Sequence, residues 1–255
     1  MATLSETQFL LVYNVFSLTI ASMFAAFIFF IVGRSQVGAK YRPALLISSL
    51  VVAIACYHYF RIFNSFEGAY TLIGGSYVAS GKPFNDAYRY VDWLLTVPLL
   101  LVELVAVLGL PKAKSGPMLL KLSFAAVLMI SLGYPGEISA DNTTRGIWGA
   151  LSTVPFLYIL YVLWVQLGES MTTQSSEVNK LFSNIRLLLL ATWGVYPITY
   201  LLPQLGVSAE SSVVGIQIGY ALADILAKAG YGVMIYTIAR TKSAEDGSLP
   251  DLQAA

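Results

Sequence analysis

Two ionisable residues, Asp224 and Lys228, lie four positions apart inside a long apolar segment near the end of the 255-residue chain. Four residues make about one helical turn, so both side chains are expected on one face of a helix. A buried lysine amine can condense with an aldehyde to form a Schiff base, and a carboxylate beside it can act as counter-ion. The alternative is a structural ion pair, which is an expensive contact inside a membrane.

A second polar group, Arg89, Asp92, Thr96 and Glu103, interrupts an apolar segment before the middle of the chain. On a helix, Asp92 and Thr96 share a face, and Glu103 faces the same way as Asp92 about 16 Å further along the axis. Ionisable groups inside a bilayer are costly and normally mark function, so two carboxylates at two depths suggest a proton relay. They could also be two unrelated packing acids, and Glu103 could approach a membrane surface.

The expected protonation states fit such a relay. Burial favours the neutral form of an isolated carboxyl such as Glu103, whereas nearby cations favour the charged form of Asp92 and Asp224. A cation at Lys228 could then pass its proton to Asp92 and be refilled from Glu103. The lone histidine, His58, could tune a carboxylate through a hydrogen bond or serve only as a packing residue.

Aromatic residues are concentrated where a rigid apolar ligand could lie. Trp93 follows Asp92 directly, and Trp193 lies three residues before Tyr196. Tryptophan and tyrosine also form belts at membrane surfaces, which is the alternative explanation. A position next to a buried aspartate makes Trp93 a poor candidate for an interfacial residue alone.

The composition indicates where these residues lie. Hydrophobic residues make up 57% of the chain and charged residues only 11%, against about 25% charged in ordinary soluble domains. The net charge of +1 offers no basic excess for nucleic acid. One cysteine and one histidine exclude an internal disulfide and a multi-histidine metal centre. The sequence therefore predicts a polytopic membrane protein without metal or nucleic acid.

Seven apolar stretches are long enough to cross a bilayer as helices, and the expected fold is an all-α bundle of seven transmembrane helices. The break between spans two and three contains Gly74-Gly75 within alternating residues, which predicts a short β-hairpin over 70–78. We expect one domain over residues 1–255. The spans are expected near 8–32, 43–62, 87–110, 115–133, 145–168, 179–202 and 212–239.

Lysine and arginine lie mainly in alternate loops, which predicts the orientation of the bundle. The positive-inside rule places the N-terminus outside and the C-terminus in the cytoplasm, so spans three and seven both run inward. Asp92 is then nearer the outside and Glu103 nearer the cytoplasm. The basic residues on the predicted cytoplasmic side are Arg34, Lys40, Arg42, Lys112, Lys114, Lys180, Arg240 and Lys242.

These residues together resemble the microbial rhodopsins, and most closely the proteorhodopsin and xanthorhodopsin-like proton pumps. The resemblance covers essentially all seven spans, and it rests on the combination of segments rather than on one of them. The main segments are RYVDWLLTVPLLLVE at 89–103 and DILAK at 224–228, supported by WGVYP at 193–197 and WGALS at 148–152.

The resemblance implies a role for each buried polar residue. Lys228 would carry all-trans retinal as a protonated Schiff base, with Asp92 as primary proton acceptor and main counter-ion. Asp224 would be the second counter-ion, Glu103 the cytoplasmic proton donor, and His58 the partner of the acceptor. Tyr59, Tyr196 and Arg89 would complete the hydrogen-bonded cluster. The positions that match the retinal pocket are Trp93, Met129, Gly133, Trp148, Trp193, Tyr196 and Pro197.

Three further features of the sequence matter within the family. The triplet of Asp92, Thr96 and Glu103 differs from the patterns of chloride pumps, sodium pumps and many sensors. Leu100 matches a colour-tuning position where leucine accompanies green absorption. Gly149 stands where many relatives have tryptophan, and xanthorhodopsin-like pumps use such an opening for an antenna carotenoid. We hypothesise a hydroxylated carotenoid there; the alternative is a helix-packing glycine.

The leading hypothesis is a light-driven outward proton pump, an ion transporter rather than an enzyme, in the plasma membrane of a prokaryote. Its expected partners are protons, membrane lipid and further copies of the chain in a pentamer or trimer. The first alternative is a sensory photoreceptor that signals through a membrane transducer, although the retained Glu103 argues against it. The second is a seven-helix receptor or passive channel without retinal, in which Asp224 and Lys228 form an ordinary buried pair.

Overall fold

A computed structural model describes residues 2–85 and 87–250, with the side chains of Ser170 and Thr173 left aside. Within these residues, seven helices are long and apolar enough to cross a membrane, as predicted. Their bounds are α1 Glu6–Gln36, α2 Arg42–Ala69, α3 Ala87–Leu108, α4 Lys112–Glu137, α5 Asn142–Glu169, α6 Ser176–Gln204 and α7 Ala209–Glu245.

Several helices begin at a side chain that satisfies their free amide groups. The Ser5 hydroxyl accepts a hydrogen bond from the Gln8 amide, and the Gln8 side chain accepts one from the Ser5 amide. This reciprocal pair is a capping box and sets the start of α1. One oxygen at the N-cap does the same for each of α5, α6 and α7, and the residues concerned are Asp141, Ser175 and Ser208.

Helices α1 to α5 pack as neighbours in chain order, and α7 closes the bundle against α1, α2, α3 and α6. Helices α5 and α6 meet through side chains, such as the Phe156 and Trp193 rings. The main hydrophobic core is built from side chains of all the helices from α2 to α7. Helix α3 has the largest buried share among the seven membrane spans of the described residues. Large apolar side chains such as Phe24, Leu120 and Phe124 point outward and are more than half exposed. Such a surface suits contact with lipid chains, which are as apolar as these side chains.

The predicted hairpin between α2 and α3 is confirmed. Strand β2, Tyr70–Ile73, pairs antiparallel with β3, Ser76–Ala79. Gly74 and Gly75 both have positive φ, at 59° and 81°, as a two-residue hairpin turn requires. A third strand that the sequence analysis did not predict, β1 at Leu4–Ser5, pairs with the other edge of β3. Strand β1 therefore ties the beginning of the chain to the hairpin.

Two predicted ends need correction. Helix α2 continues to Ala69, beyond the predicted end of the second span near residue 62. Polar residues there face outward while Ile62, Phe66 and Ala69 remain buried at helical spacing. Helix α7 likewise extends to Glu245, since its buried face continues through Lys242 and Ser243. Apolar length alone missed both extensions because these turns are amphipathic.

Two spans contain a stretch of wider π-helix, which the sequence analysis did not predict. In α7 it covers Ile225–Gly230 and therefore includes Lys228. In α5 it covers Val162–Gln166. Stretches of π-helix inside α-helices occur frequently at functional sites, and the one in α7 lies next to the charged cluster described below.

Candidate functional site

Three charged side chains meet in the centre of the bundle. The Lys228 ammonium forms a short ion pair and hydrogen bond with Asp92 Oδ2 of α3. Its Nζ also lies 3.1 Å from Asp224 Oδ2, one turn earlier on α7. All three side chains are at most 1% exposed. The expected shared face of Asp224 and Lys228 is therefore observed, and α3 brings Asp92 to the same ammonium.

The two carboxylates differ in how well the protein solvates them. Asp224 accepts hydrogen bonds from the Tyr59 hydroxyl at 2.7 Å, the Tyr196 hydroxyl at 2.5 Å and Trp93 Nε1 at 3.1 Å. In Asp92, Oδ1 is buried and has no hydrogen-bond partner among the described residues. Both oxygens of Asp224 are therefore occupied by donors, while Asp92 retains an oxygen that can receive a proton.

Arg89 and Thr96 lie beside this cluster, and each makes a hydrogen bond that orders its surroundings. Arg89 Nη2 donates to Gln217 Oε1 at 2.9 Å, and its guanidinium lies 5.1 Å from the centre of the Tyr220 ring. The Thr96 hydroxyl donates to the main-chain carbonyl of Asp92 at 2.8 Å. Thr96 therefore fixes the backbone that carries Asp92.

Glu103 lies deeper along α3 in a different environment. Its side chain is fully buried, and Oε2 accepts a hydrogen bond from the Ser48 hydroxyl of α2 at 2.6 Å. Its other oxygen, Oε1, has no hydrogen-bond partner in the described part of the chain. Burial without a cation favours the protonated form of a carboxyl group. The arrangement therefore suits a carboxyl that stores a proton.

An apolar cavity extends from Lys228 between α3, α4, α5, α6 and α7. It encloses about 820 Å³ of space not filled by atoms, including space at its mouth. Such a cavity suits an elongated apolar molecule with one reactive group at the lysine. The predicted pocket residues that line it are Trp93, Leu100, Met129, Gly133, Gly149, Trp193, Tyr196 and Pro197.

Comparison with known proteins identifies the family. The model of the bacteriorhodopsin-like protein family matches residues 11–242. This chain belongs to the bacteriorhodopsin-like family. Seven membrane-spanning helices and prokaryotic relatives make this rhodopsin a multi-pass protein of a prokaryotic cell membrane.

Its relatives are microbial rhodopsins of the proteorhodopsin and xanthorhodopsin type. The green-light absorbing proteorhodopsin of Gamma-proteobacterium EBAC31A08 is 30% identical over 90% of this chain and 86% of the relative. The crystal structure of xanthorhodopsin, described as a light-driven ion pump with dual chromophore, is 56% identical with a TM-score of 0.91. A thermophilic rhodopsin is 51% identical with a TM-score of 0.93. Both comparisons cover 97% of this rhodopsin and 99% of the other chain.

The structure separates two predicted residues from their expected contacts. The ring nitrogen Nδ1 of His58 lies 3.0 Å from the Ile54 carbonyl oxygen, and no hydrogen bond joins His58 to Asp92 in the described residues. Trp148 does not line the cavity but packs beside Gly136 of α4, where an added Cβ would lie 3.0 Å from Trp148 Cβ. The side chain expected in the pocket therefore fills a contact between α4 and α5.

Tyr59 is likewise absent from the cavity wall and reaches the site through its bond to Asp224. Gly149 does line the cavity, and the Tyr200 ring covers it so closely that an added Cβ would lie 2.9 Å from Tyr200 Cε1. Close packing of this ring accounts for a glycine at the position. The Tyr200 ring therefore forms part of the cavity wall directly over Gly149.

The sequence analysis missed several polar residues that the fold brings to the site. Ser48 contacts Glu103, and Gln217 contacts Arg89. Gln217 and Tyr220 precede Asp224 by seven and four residues, so their helical spacing could have identified them. Ser48 carried no such signal because a serine in an apolar helix is common and its partner lies on another helix.

Proposed function

We propose that this rhodopsin is a light-driven outward proton pump that carries all-trans retinal on Lys228. One observation carries the proposal: a buried lysine lies between a fully hydrogen-bonded Asp224 and a partly bonded Asp92, at the end of an apolar cavity. The proteorhodopsin and xanthorhodopsin relatives support the pump class.

The residues present fit retinal. The Lys228 amine would condense with its aldehyde, losing water and forming the carbon–nitrogen double bond, while Trp93, Trp193 and Tyr196 enclose the apolar chain. The unpartnered Oδ1 of Asp92 offers an acceptor to the proton held at the nitrogen. Bound retinal supplies visible absorption and a light-driven isomerisation that changes the direction of the nitrogen's proton.

The protein's own residues then determine the route of the proton. The proton moves from Lys228 Nζ to Asp92, because each oxygen of Asp224 is already occupied by donors. Asp92 thereby acts as acceptor and Asp224 as a fixed second counter-ion. Thr96 holds the main chain of Asp92, and His58 is held on α2 by the contact of its Nδ1 with the Ile54 carbonyl oxygen.

Glu103 returns a proton to Lys228 from the other end of α3. Its burial and single neutral donor, Ser48, keep a proton on the carboxyl until Lys228 is deprotonated. The positive-inside pattern makes the Glu103 end cytoplasmic and the end with the β-sheet extracellular, which gives an outward direction. Arg89 lies on the extracellular side of Asp92.

The test is light-induced pH change in retinal-supplied cells. The expected result is external acidification that collapses with a protonophore, and a colourless, inactive Lys228→Ala variant. A protein with a visible band that leaves the external pH unchanged in light would instead support the sensory photoreceptor. A chain that gains no visible band with retinal would overturn the assignment of Lys228.

A carotenoid antenna is the finer part of the proposal. Gly149 and Tyr200 lie on the cavity wall, so a hydroxylated carotenoid seated there would approach the retinal ring end. Excitation spectra recorded with added carotenoid should contain carotenoid bands in the retinal-linked signal. Gly149→Trp should remove these bands and keep the retinal band. Identical spectra with and without carotenoid would reject the antenna.

We also propose that the chain forms a homo-oligomer, a pentamer or trimer, in the membrane. The large exposed apolar side chains on its outer surface can contact either lipid or a second copy. Chemical cross-linking in native membranes should give bands up to the trimer or pentamer. A monomer band alone, with efficient cross-linkers at several lengths, would contradict it.

A further inference from the structure

A second buried charge pair lies at the extracellular end of the bundle, away from Lys228. Glu137 is the last residue of α4, and its side chain is 6% exposed. Arg145 lies in the first turn of α5, and its side chain is 10% exposed. Arg145 Nη1 lies 3.5 Å from Glu137 Oε2. Exposed carboxylates at the same end, such as Glu67, lack this enclosure.

Several groups of the protein besides the Glu137 carboxylate hold Arg145 in place. Arg145 donates to the main-chain carbonyls of Glu137 at 2.8 Å and Tyr200 at 3.1 Å, and its guanidinium stacks on the Tyr200 ring. The carboxylate lies at 3.4 Å from the Tyr220 hydroxyl and 3.5 Å from Arg145. A fixed cation beside a buried carboxyl favours its charged form, so a proton that arrives there is readily released again.

Tyr220 connects this pair to the central cluster. It lies one turn before Asp224 on α7, and its ring contacts Trp93 edge-on at 5.1 Å. The Arg89 guanidinium lies over the same ring, and the Tyr220 carbonyl accepts a hydrogen bond from Tyr59 at 3.3 Å. One residue therefore touches both the surroundings of Asp224 and the carboxylate of Glu137.

Burying the Glu137–Arg145 pair is costly, because the desolvation penalty of two buried charges can exceed the attraction between them. Such a pair is therefore a candidate for a functional role. An outward pump requires a path for the proton that leaves Asp92, and Glu137 is a buried carboxylate on that side. The ionisable groups that face it are Arg145, Tyr90, Tyr200 and Tyr220.

We propose that Glu137 is the proton-release group, with Tyr220 as its positioning residue. The inference rests on the outward pump proposed above. Glu137 is an anion in the dark, takes up the proton that Asp92 loses, and becomes neutral. Arg145 then lacks its counter-charge, which favours loss of that proton to the extracellular medium and restores the pair.

The test follows protons after a light flash in retinal-loaded protein, using a soluble pH-indicator dye and time-resolved infrared spectroscopy. Glu137→Gln should delay proton appearance by about a hundredfold, as expected when a positioned proton carrier is removed. Transfer from Lys228 to Asp92 should keep its rate. A transient carboxyl band present in the parent should disappear. Glu67→Gln, which removes an exposed carboxylate at the same end, should match the parent.

Tyr220→Phe provides a second measurement if Glu137→Gln fails to fold, since it removes one hydroxyl and keeps the charge pair. It should delay release by about tenfold and shift the transient carboxyl band without abolishing it. Parental release timing in whichever variant folds, with the infrared band unchanged, would overturn the role of Glu137 while the pump stands. A parent protein that moves no protons in light would overturn the pump and this role together.

Discussion

The extracellular and cytoplasmic halves of the bundle treat buried charge in opposite ways. On the extracellular side, Asp224 has three donors, Arg89 bonds to Gln217, and Glu137 pairs with Arg145. On the predicted cytoplasmic side, Glu103 has Ser48 as its hydrogen-bond donor, and Leu100 and Val107, one turn away on α3, are buried and apolar.

The number of hydrogen-bond donors near a buried carboxyl group determines whether that half of the bundle favours its charged or its neutral form. Fixed hydrogen-bond donors around a carboxylate stabilise its charged form, whereas apolar surroundings stabilise the neutral carboxyl. In the proposed pump, a proton released from Lys228 would therefore find its acceptor in the half that the positive-inside pattern makes extracellular. Its replacement would come from Glu103, the buried carboxyl of the other half among the described residues, which would give the pump its direction.

The largest expected effect comes from removing the acceptor on the extracellular side. Asp92→Asn leaves the Lys228 proton without its acceptor, since Asp224 is already occupied by donors. Light-driven acidification should fall to the level of retinal-free cells. The matched substitution Asp224→Asn should instead retain a first proton transfer to Asp92, measured by flash absorption. Pumping at the parental rate in Asp92→Asn would break the proposed contrast between the carboxylates.

The next effect tests the cytoplasmic half. Glu103→Gln removes the stored proton, so reprotonation of Lys228 should slow by about a hundredfold while transfer to Asp92 keeps its rate. Flash absorption of the retinal-loaded protein separates the two phases. Added azide, a small acid that reaches the site, should restore part of the rate. Recovery at the parental rate without azide would show that Glu103 is not the donor.

A smaller effect is expected from the hydroxyl that bonds to Glu103. Ser48→Ala removes a donor that stabilises the Glu103 anion more than its neutral form, so proton donation should slow by about tenfold. The neighbouring Ser49→Ala serves as the control, because Ser49 bonds to the Leu46 carbonyl instead. Equal recovery rates in the two variants would remove Ser48 from the relay.

The smallest effect concerns the cytoplasmic surface. The Tyr41 hydroxyl donates to Asp246 Oδ2 at 2.5 Å. This bond lowers the pKa of Asp246, whereas the pKa of Tyr41 is raised first by burial and then by the same bond. A lowered carboxylate pKa contributes stability above its ordinary value of about 4, which is lost as the pH falls through the folded-state value. Because Asp246 is largely exposed, the contribution is below about 1 kcal/mol.

Asp246→Asn should therefore lower the unfolding temperature slightly at about pH 7, and by progressively less as the pH falls below about 4 toward the lowered pKa of the parent carboxyl. Light-driven pumping should be unchanged, because the residue lies outside the proton route. A larger loss at the lower pH would contradict the sign of the pKa change.

Side-chain contacts could be predicted from the sequence when both residues lie on the same helix, and not when they lie on different helices. Asp224 and Lys228 were paired correctly, and Thr96 was placed beside Asp92, because spacing within one helix determines a shared face. The bond from Ser48 to Glu103 joins α2 to α3, and the ion pair of Glu137 and Arg145 joins α4 to α5. Such contacts depend on the rotation of each helix about its axis.

The same limit explains the residues that were misplaced. Trp148 and Gly149 are adjacent on α5, yet the structure directs the glycine toward the cavity and the tryptophan toward Gly136. His58 was expected to bond to Asp92, but its ring meets the Ile54 carbonyl of its own helix. A difference of one residue rotates a side chain by about 100° around a helix, which is more than a pattern of apolar residues resolves.

The sequence by itself determined that this chain crosses a membrane seven times, that a hairpin joins α2 and α3, and that few ionisable residues enter the bundle. Apolar length and the cost of buried charge are properties of the chain and the bilayer, so they can be read without a fold. The tertiary structure alone decided which carboxylate of the pair is fully solvated by donors, because those donors come from α2, α3 and α6.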